Sequence, residues 1–259
     1  MTPSMSRKCS PAELRARRYS AFAGRRVLPS RRQCCNRRGV GSHTFFEEDS
    51  LGLTLVIGTK RWSSWSLRPW VALKQAGIPF EEMLIPLRRP DTRTRILEFS
   101  PAGKVPVLID GTELIWESLA ILEYLARRFP HAQLWPGDFA ALALSQSVAA
   151  EMHAGFADLR RELSMDVTQT LPTPELTSAA AADVARIQSI WRDARTRFGS
   201  AGPFLFGHFT NADAMFAPVV TRFQTYRLEV DPVCRDYMDA ILGLPAITEW
   251  YRTAAEAMI

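Results

Sequence analysis

Ser63 and Ser64 stand side by side between Trp62 and Trp65, in the stretch KRWSSWSLRPW that runs from Lys60 to Trp70. They follow a short apolar run and precede a helical pattern. Backbone N–H groups and the positive end of a helix dipole therefore converge on them. Hydroxyls in such a place suit an anion, either as donors to a ligand or as an N-cap worth about 1 kcal/mol. Other reactive side chains are dispersed. Cys9, Cys34, Cys35 and Cys234 form no C-x-x-C or Cys/His cluster, and the four histidines are equally scattered. Neither a disulfide framework nor a zinc site is expected, and a reducing compartment is the default. With no cysteine near the helix that follows Ser64, thiol–disulfide chemistry is disfavoured.

The elements that must hold these serines can be read from periodicity. Residues 53–57 (LTLVI) form a short buried strand ending at Gly58. Leu67, Trp70 and Val71 recur at helical spacing, with Gly77 as the stop. A second strand is expected over residues 80–85, a helix over 92–99, and a third strand over 105–109. Asp110-Gly111 then turns the chain into a fourth strand at 113–115. Leu119, Leu122, Leu125 and Phe129 mark a helix closed by Pro130. The order is βαβαββα.

Beyond Pro136 only helical signals occur. Val148, Met152, Phe156, Leu159 and Leu163 predict one continuous helix. A second starts at Thr173-Pro174-Glu175 and carries Ile187, Ile190, Trp191, Ala194 and Phe198. A third opens on the capping pair Thr210 and Asp213. A fourth begins at Asp231-Pro232, and a short last one runs to the C-terminus.

The formal net charge of +5 is unevenly distributed. Up to His43 there are eleven Lys or Arg against the single acid Glu13, a local +10, whereas the rest holds 21 basic and 26 acidic residues, a local −5. The body is thus mildly acidic and gives nucleic-acid binding little electrostatic support. No stretch approaches the ~20 apolar residues of a membrane span. Residues 1–50, rich in Arg pairs and without a periodic apolar face, read as a disordered basic extension. Its composition is also that of an organelle transit peptide, or of a basic partner-binding tail; we favour a translated upstream stretch outside the working protein.

Four pieces in this order, SSWSLRPW (63–70), GKVPVL (103–108), WESLAILEYL (116–125) and GHFTNADAMFAP (207–218), make the chain resemble the glutathione S-transferase superfamily. SSWS is similar to the Ser-Ser-Cys-Ser of the zeta, maleylacetoacetate-isomerase-like class, with Trp65 in place of the cysteine. The resemblance implies an α/β thioredoxin-like domain over 51–133 that binds glutathione, followed by an all-α helical-bundle domain over 140–259. It also implies a cytoplasmic homodimer acting in detoxification, with glutathione as co-substrate; from the spacing, charge and hydropathy given above, no metal, nucleic-acid or membrane partner is expected.

The resemblance gives the candidate residues their tasks. Ser63, with Ser64 in reserve, is the expected donor to the glutathione thiolate. Val105-Pro106 matches the family's cis-proline step, which offers the Val105 backbone to the cysteinyl part. Lys104 suits a carboxylate, or is a solvated turn residue. Glu117 and Ser118 suit the ammonium and carboxylate of the γ-glutamyl group. Thr210 and Asp213 are structural. Arg68 is read either as an active-site cation or as a surface residue. Trp62 and Trp65 are read as lining an acceptor pocket or, in preference, as packing between the domains. His153 and Arg160, on the first helix of the second half, are read either as facing the pocket or as helix-surface residues, and the helix-surface reading suffices.

The implied function is conjugation of glutathione to an apolar electrophile. Glutathione-dependent cis–trans isomerisation of the zeta kind and non-catalytic glutathione binding are the alternatives. Because the basic extension cannot bury enough surface to offset its ordering entropy, a protein beginning at Gly52 is expected to keep its thermal midpoint and glutathione affinity. Calorimetry of the two lengths checks this. A large drop in either quantity would mean that the extension packs on the body.

Overall fold

The computed structural model describes residues 52–256. The basic extension, its three cysteines and the last three residues lie outside the described residues. Four strands form one mixed sheet: β1 (Leu53–Gly58), β2 (Glu81–Ile85), β3 (Val107–Asp110) and β4 (Glu113–Trp116), in the spatial order β2-β1-β3-β4. β1 runs parallel to β2 and antiparallel to β3, and β3 pairs antiparallel with β4. Three helices accompany the strands: α1 (Ser64–Gln75), α2 (Thr92–Leu97) and α3 (Ser118–Arg128). This is the βαβαββα order that the strand and helix signals imply, in the thioredoxin-like arrangement that the family resemblance implies.

Alternation along β1 explains the layers, because successive side chains of a strand point to opposite faces. Leu53, Leu55 and Ile57 join Leu108 and the apolar sides of α1 and α3 in the main core. Val56 points the other way, into a small cluster with Ile85, Val107, Ile109 and Ile96 of α2. The sheet is therefore covered on both faces, with α2 alone on one side.

The remaining chain is helical: α4 (Phe139–Ala154), α5 (Ala157–Glu162), α6 (Ser178–Phe198), α7 (Asn211–Thr225), α8 (Pro232–Leu242) and α9 (Pro245–Glu256), with single 3-10 turns at Pro130–Ala132 and Gly199–Ala201. α7 is the central helix, and nearly every residue in it is buried. It starts with a capping box: the Asp213 carboxylate accepts from the Thr210 N–H at 2.8 Å and from the Leu205 N–H at 3.1 Å. Burial raises the Asp213 pKa to about 6, against the pull of those donors. Asn211 at the start of α7 donates through Nδ2 to the Leu122 carbonyl at 3.0 Å. Trp250 of α9 donates to the Lys60 carbonyl at 3.0 Å. These bonds and the shared core make the α/β and helical halves one packed unit. Among the described residues, no helix is long and apolar enough to cross a membrane.

Two helix assignments need correction. The helix expected at Thr173 begins at Ser178, where the Thr177 hydroxyl accepts from the Ala180 N–H. The Thr173 hydroxyl instead donates to the Tyr226 carbonyl at 2.8 Å and so fastens a loop. The single helix expected from Val148 to Leu163 is two helices, broken at Gly155 and Phe156. Phe156 has a φ of 61° and is buried. The Arg160 guanidinium donates to the carbonyls of Gly155 and Met152 that the break exposes. Those bonds satisfy acceptors that a helix end leaves open.

Candidate functional site

A cleft of about 320 Å³ opens between the two halves. Lys104, Val105, Pro106, Glu117 and Ser118 line it together with Trp65, Ser100, Ala102, Trp116 and His153. Five of the sequence-derived candidates, from two separate segments, therefore share one wall. The Val105–Pro106 peptide bond is cis. Val105 sits just before β3 and outside the β1–β3 ladder, whose register begins at Val107. Lys104 is exposed at the mouth, whereas Ser118 is 1% exposed.

Glu117 and Ser118 are held by the junction of β4 and α3. Glu117 has a φ of 71°, a region that costs a residue with a Cβ about 1–3 kcal/mol. Its side chain is exposed, and Ser118 is the first residue of the eleven-residue helix α3. The Ser118 hydroxyl is buried with no partner in the protein. An unpaired N–H-rich helix start beside an unpaired hydroxyl suits a carboxylate, and the exposed Glu117 carboxylate suits a cation.

Ser63 and Ser64 are not among the residues that line the cleft; both are 6% exposed at the adjoining start of α1. Ser63 occupies the N-cap position of α1, but its side chain makes no cap hydrogen bond. Its hydroxyl instead donates to the Ser66 Oγ at 2.7 Å, and the buried Ser66 Oγ also accepts from the Gly58 N–H at 3.1 Å. A capping role for the Ser63 side chain is thereby removed. Ser64, the first residue of α1, makes no side-chain hydrogen bond among the described residues.

Trp65 joins α1 to the helical half. It lines the cleft and meets the His153 ring of α4 edge-on, with centroids 5.4 Å apart. It thus belongs both to a pocket wall and to the packing between halves. Trp62 does not line the cleft; its ring lies against the guanidinium groups of Arg61 and Arg88. Arg68 is neither a cleft cation nor a surface residue. It is buried between α1 and α7, where Nε donates to the Met215 carbonyl at 3.1 Å and the guanidinium lies 4.0 Å from the Trp65 ring centre. Burial, reinforced by Arg160 and Arg222, pushes its pKa well down.

His153 has Nε2 3.8 Å from the Glu117 carboxylate, and its Nδ1 has no partner. Burial lowers its pKa, followed by repulsion from Arg68; Glu117 opposes the shift and Arg160 adds to it. Burial and the neighbouring cations thus favour the neutral imidazole. Of the other wall residues, Ser100, Ala102 and Trp116 carry no assignment from the sequence, and Trp65 and His153 take the pocket position that the sequence left as one of two alternatives. Ser100 lies inside the loop that carries Lys104 and Val105, so its position was visible, but no signal told that its hydroxyl is unpaired. Among the described residues, no group of His, Cys, Asp and Glu has the makings of a metal site.

Comparison with known proteins agrees with this architecture. Residues 62–128 match the family model of the glutathione S-transferase N-terminal domain, and residues 173–253 match that of the C-terminal domain. Together they take in more than half of the chain. The protein is 34% identical over 88 residues to a glutathione S-transferase zeta class protein of Euphorbia esula, a stretch covering 34% of this chain and 39% of that one. It is 31% identical over 96 residues to a probable maleylacetoacetate isomerase of Caenorhabditis elegans, covering 37% of this chain and 44% of the relative. The chain thus spans less than half the length of these relatives. A glutathione transferase homolog from Burkholderia gl BGR1, solved with bound glutathione, superposes with a TM-score of 0.61 at 22% identity, over 80% of this chain and 99% of its own. That likeness speaks for the fold, and the two family models for the descent. The chain belongs to the glutathione S-transferase superfamily.

Proposed function

We propose that the protein is a glutathione S-transferase that ionises glutathione with a serine hydroxyl and adds the thiolate to an apolar electrophile. One observation carries the reading. Lys104, Val105, Pro106, Glu117 and Ser118 meet in a single cleft in which the Ser118 hydroxyl, at the start of α3, has no protein partner. Glutathione supplies a complement for each: a carboxylate for Ser118, an ammonium for Glu117, a peptide edge for Val105 and a second carboxylate for Lys104. Residues 51–133 form the glutathione-binding domain and 140–259 the acceptor domain, acting in a cytoplasmic homodimer.

Ionisation needs a donor to the sulfur. A free thiol has a pKa of ~8.5, and half-ionisation at pH 7 requires a shift of ~1.5 units, about 2 kcal/mol. A hydrogen bond to a charged group contributes about 1.5–3 kcal/mol, so a single hydroxyl is enough. Ser63 is that donor in our account. Its proton, directed at Ser66 at 2.7 Å, is freed when the Ser66 hydroxyl turns to donate to Ser63 instead. Each hydroxyl holds one proton and two acceptor positions, so only hydrogens move. The thiol proton leaves to solvent, and the sulfur lone pair forms the new bond to carbon as the electrophile's leaving group departs to solvent with its bonding pair or, in an addition, as the electrophile's π pair moves to the neighbouring atom and takes up a proton from solvent. Ser64 is the alternative donor, favoured by its lack of an internal partner.

The γ-glutamyl assignment predicts a binding defect in Ser118→Ala. The apparent glutathione constant is expected to rise about 10-fold, while the rate at saturating glutathione stays near wild type, because the contact is equal in ground and transition states. Steady-state kinetics at varied glutathione checks this, and an unchanged constant would remove Ser118 from the site. The likeness to the Caenorhabditis elegans relative favours isomerisation as the second reading. Turnover without consumption of glutathione would select it. Retained glutathione affinity with no turnover of any electrophile would select the non-catalytic one.

A further inference from the structure

Ser100 is the buried polar residue of the cleft whose side chain neither the fold nor the proposed chemistry uses. Its backbone is satisfied: the N–H donates to the Ile96 carbonyl at 2.9 Å, and the carbonyl accepts from the Gly103 N–H at 3.1 Å. Its side chain is not. Ser100 is 1% exposed, lines the cleft, and its Oγ has no partner in the protein. A buried hydroxyl left unpaired costs stability, so such groups are uncommon unless something outside the chain completes them.

Ser118, in the same cleft, has the same two properties: it is 1% exposed and its Oγ is unpaired. Two equally deep hydroxyls, one of them at the start of an eleven-residue helix, form a donor set for an anion. The other polar groups of the cleft differ in depth or sign. Lys104 is exposed at the mouth, Glu117 is negative, and His153, whose Nδ1 is also without a partner, has a side chain 28% exposed. We propose that Ser100 is a second hydroxyl, beside that of Ser118, on the α-carboxylate of the γ-glutamyl group in this cleft, and that it sets the preference of the site for peptides carrying that carboxylate. The proposal rests on the glutathione reading given above.

The test compares two peptides and two proteins. Glutathione and 4-aminobutyryl-cysteinylglycine, which lacks only the γ-glutamyl α-carboxylate, are titrated calorimetrically into wild type and Ser100→Ala. Wild type is expected to prefer glutathione at least about 10-fold, the loss of one charge-assisted hydrogen bond or more. Ser100→Ala is expected to bind glutathione about 10-fold more weakly and the truncated peptide as wild type does. The thermal midpoint of the unliganded variant should be unchanged or higher, since the substitution removes an unpaired hydroxyl. A serine with a structural task would lower it and overturn the proposal. Discrimination undiminished in Ser100→Ala, or equal weakening of both peptides, also overturns this inference alone. Equal wild-type affinity for the two peptides would overturn the γ-glutamyl reading and this inference with it.

Discussion

Asp213→Ala is expected to lower the stability of the folded unit by about 3 kcal/mol, through loss of a helix cap and two newly unpaired buried N–H groups. The side chain is fully buried and accepts from three donors: the Leu205 and Thr210 N–H groups and the Thr210 hydroxyl. Alanine leaves all three without an acceptor at the start of α7, the helix on which both halves pack. For a unit of this size the loss corresponds to about 6–12 °C in thermal midpoint. The loss should also depend on pH. Burial raises the Asp213 pKa to about 6, above the ~3.9 of an unfolded aspartate. Between those values the folded state holds more protons than the unfolded one, so this group's contribution is present at low pH and fades as pH rises through about 6. Asp213→Ala lacks that slope, and its deficit should be larger at pH 5 than at pH 7. Denaturant unfolding at both pH values measures it, and a deficit that grows with pH would reverse the assignment.

Ser63→Ala is expected to cost about 10- to 100-fold in conjugation rate at pH 6.5 and to move the pH–rate profile up by about 1–2 units, the equivalent of one charge-assisted hydrogen bond. Glutathione affinity should change little, because the Val105, Glu117 and Ser118 contacts lie elsewhere in the cleft. The cap alternative predicts lower stability with an unshifted profile, and the Ser63 side chain makes no cap bond. Ser64→Ala is the companion measurement. A shift confined to it would make Ser64 the donor. A shift in neither would leave the helix start and backbone N–H groups as the source of ionisation.

Much of this architecture was legible because local chemistry and final packing agree. The alternation in β1, the Asp110-Gly111 turn and the Thr210–Asp213 box each satisfy a local requirement that the fold retains. Lys104, Val105, Pro106, Glu117 and Ser118 could be named from two short motifs and meet in one cleft. The break at Gly155–Phe156 was not legible, since apolar residues continue at helical spacing across it. What stabilises the break is Arg160 reaching back to the Gly155 and Met152 carbonyls, a contact with no periodic trace. The Ser63–Ser66 bond has helical spacing but competes with a cap, and only the geometry decides between them. Trp65 and His153 lie in different halves, so their meeting in the cleft wall follows from how α1 and α4 pack.

The central claim is that this cleft binds glutathione and holds its sulfur as a thiolate. Thiolate absorbance of the wild-type binary complex, titrated from pH 5 to pH 10, tests it most directly. The account predicts a midpoint near pH 7, ~1.5 units below the ~8.5 of a free thiol. A midpoint at or above 8.5 with glutathione saturating the protein would contradict it.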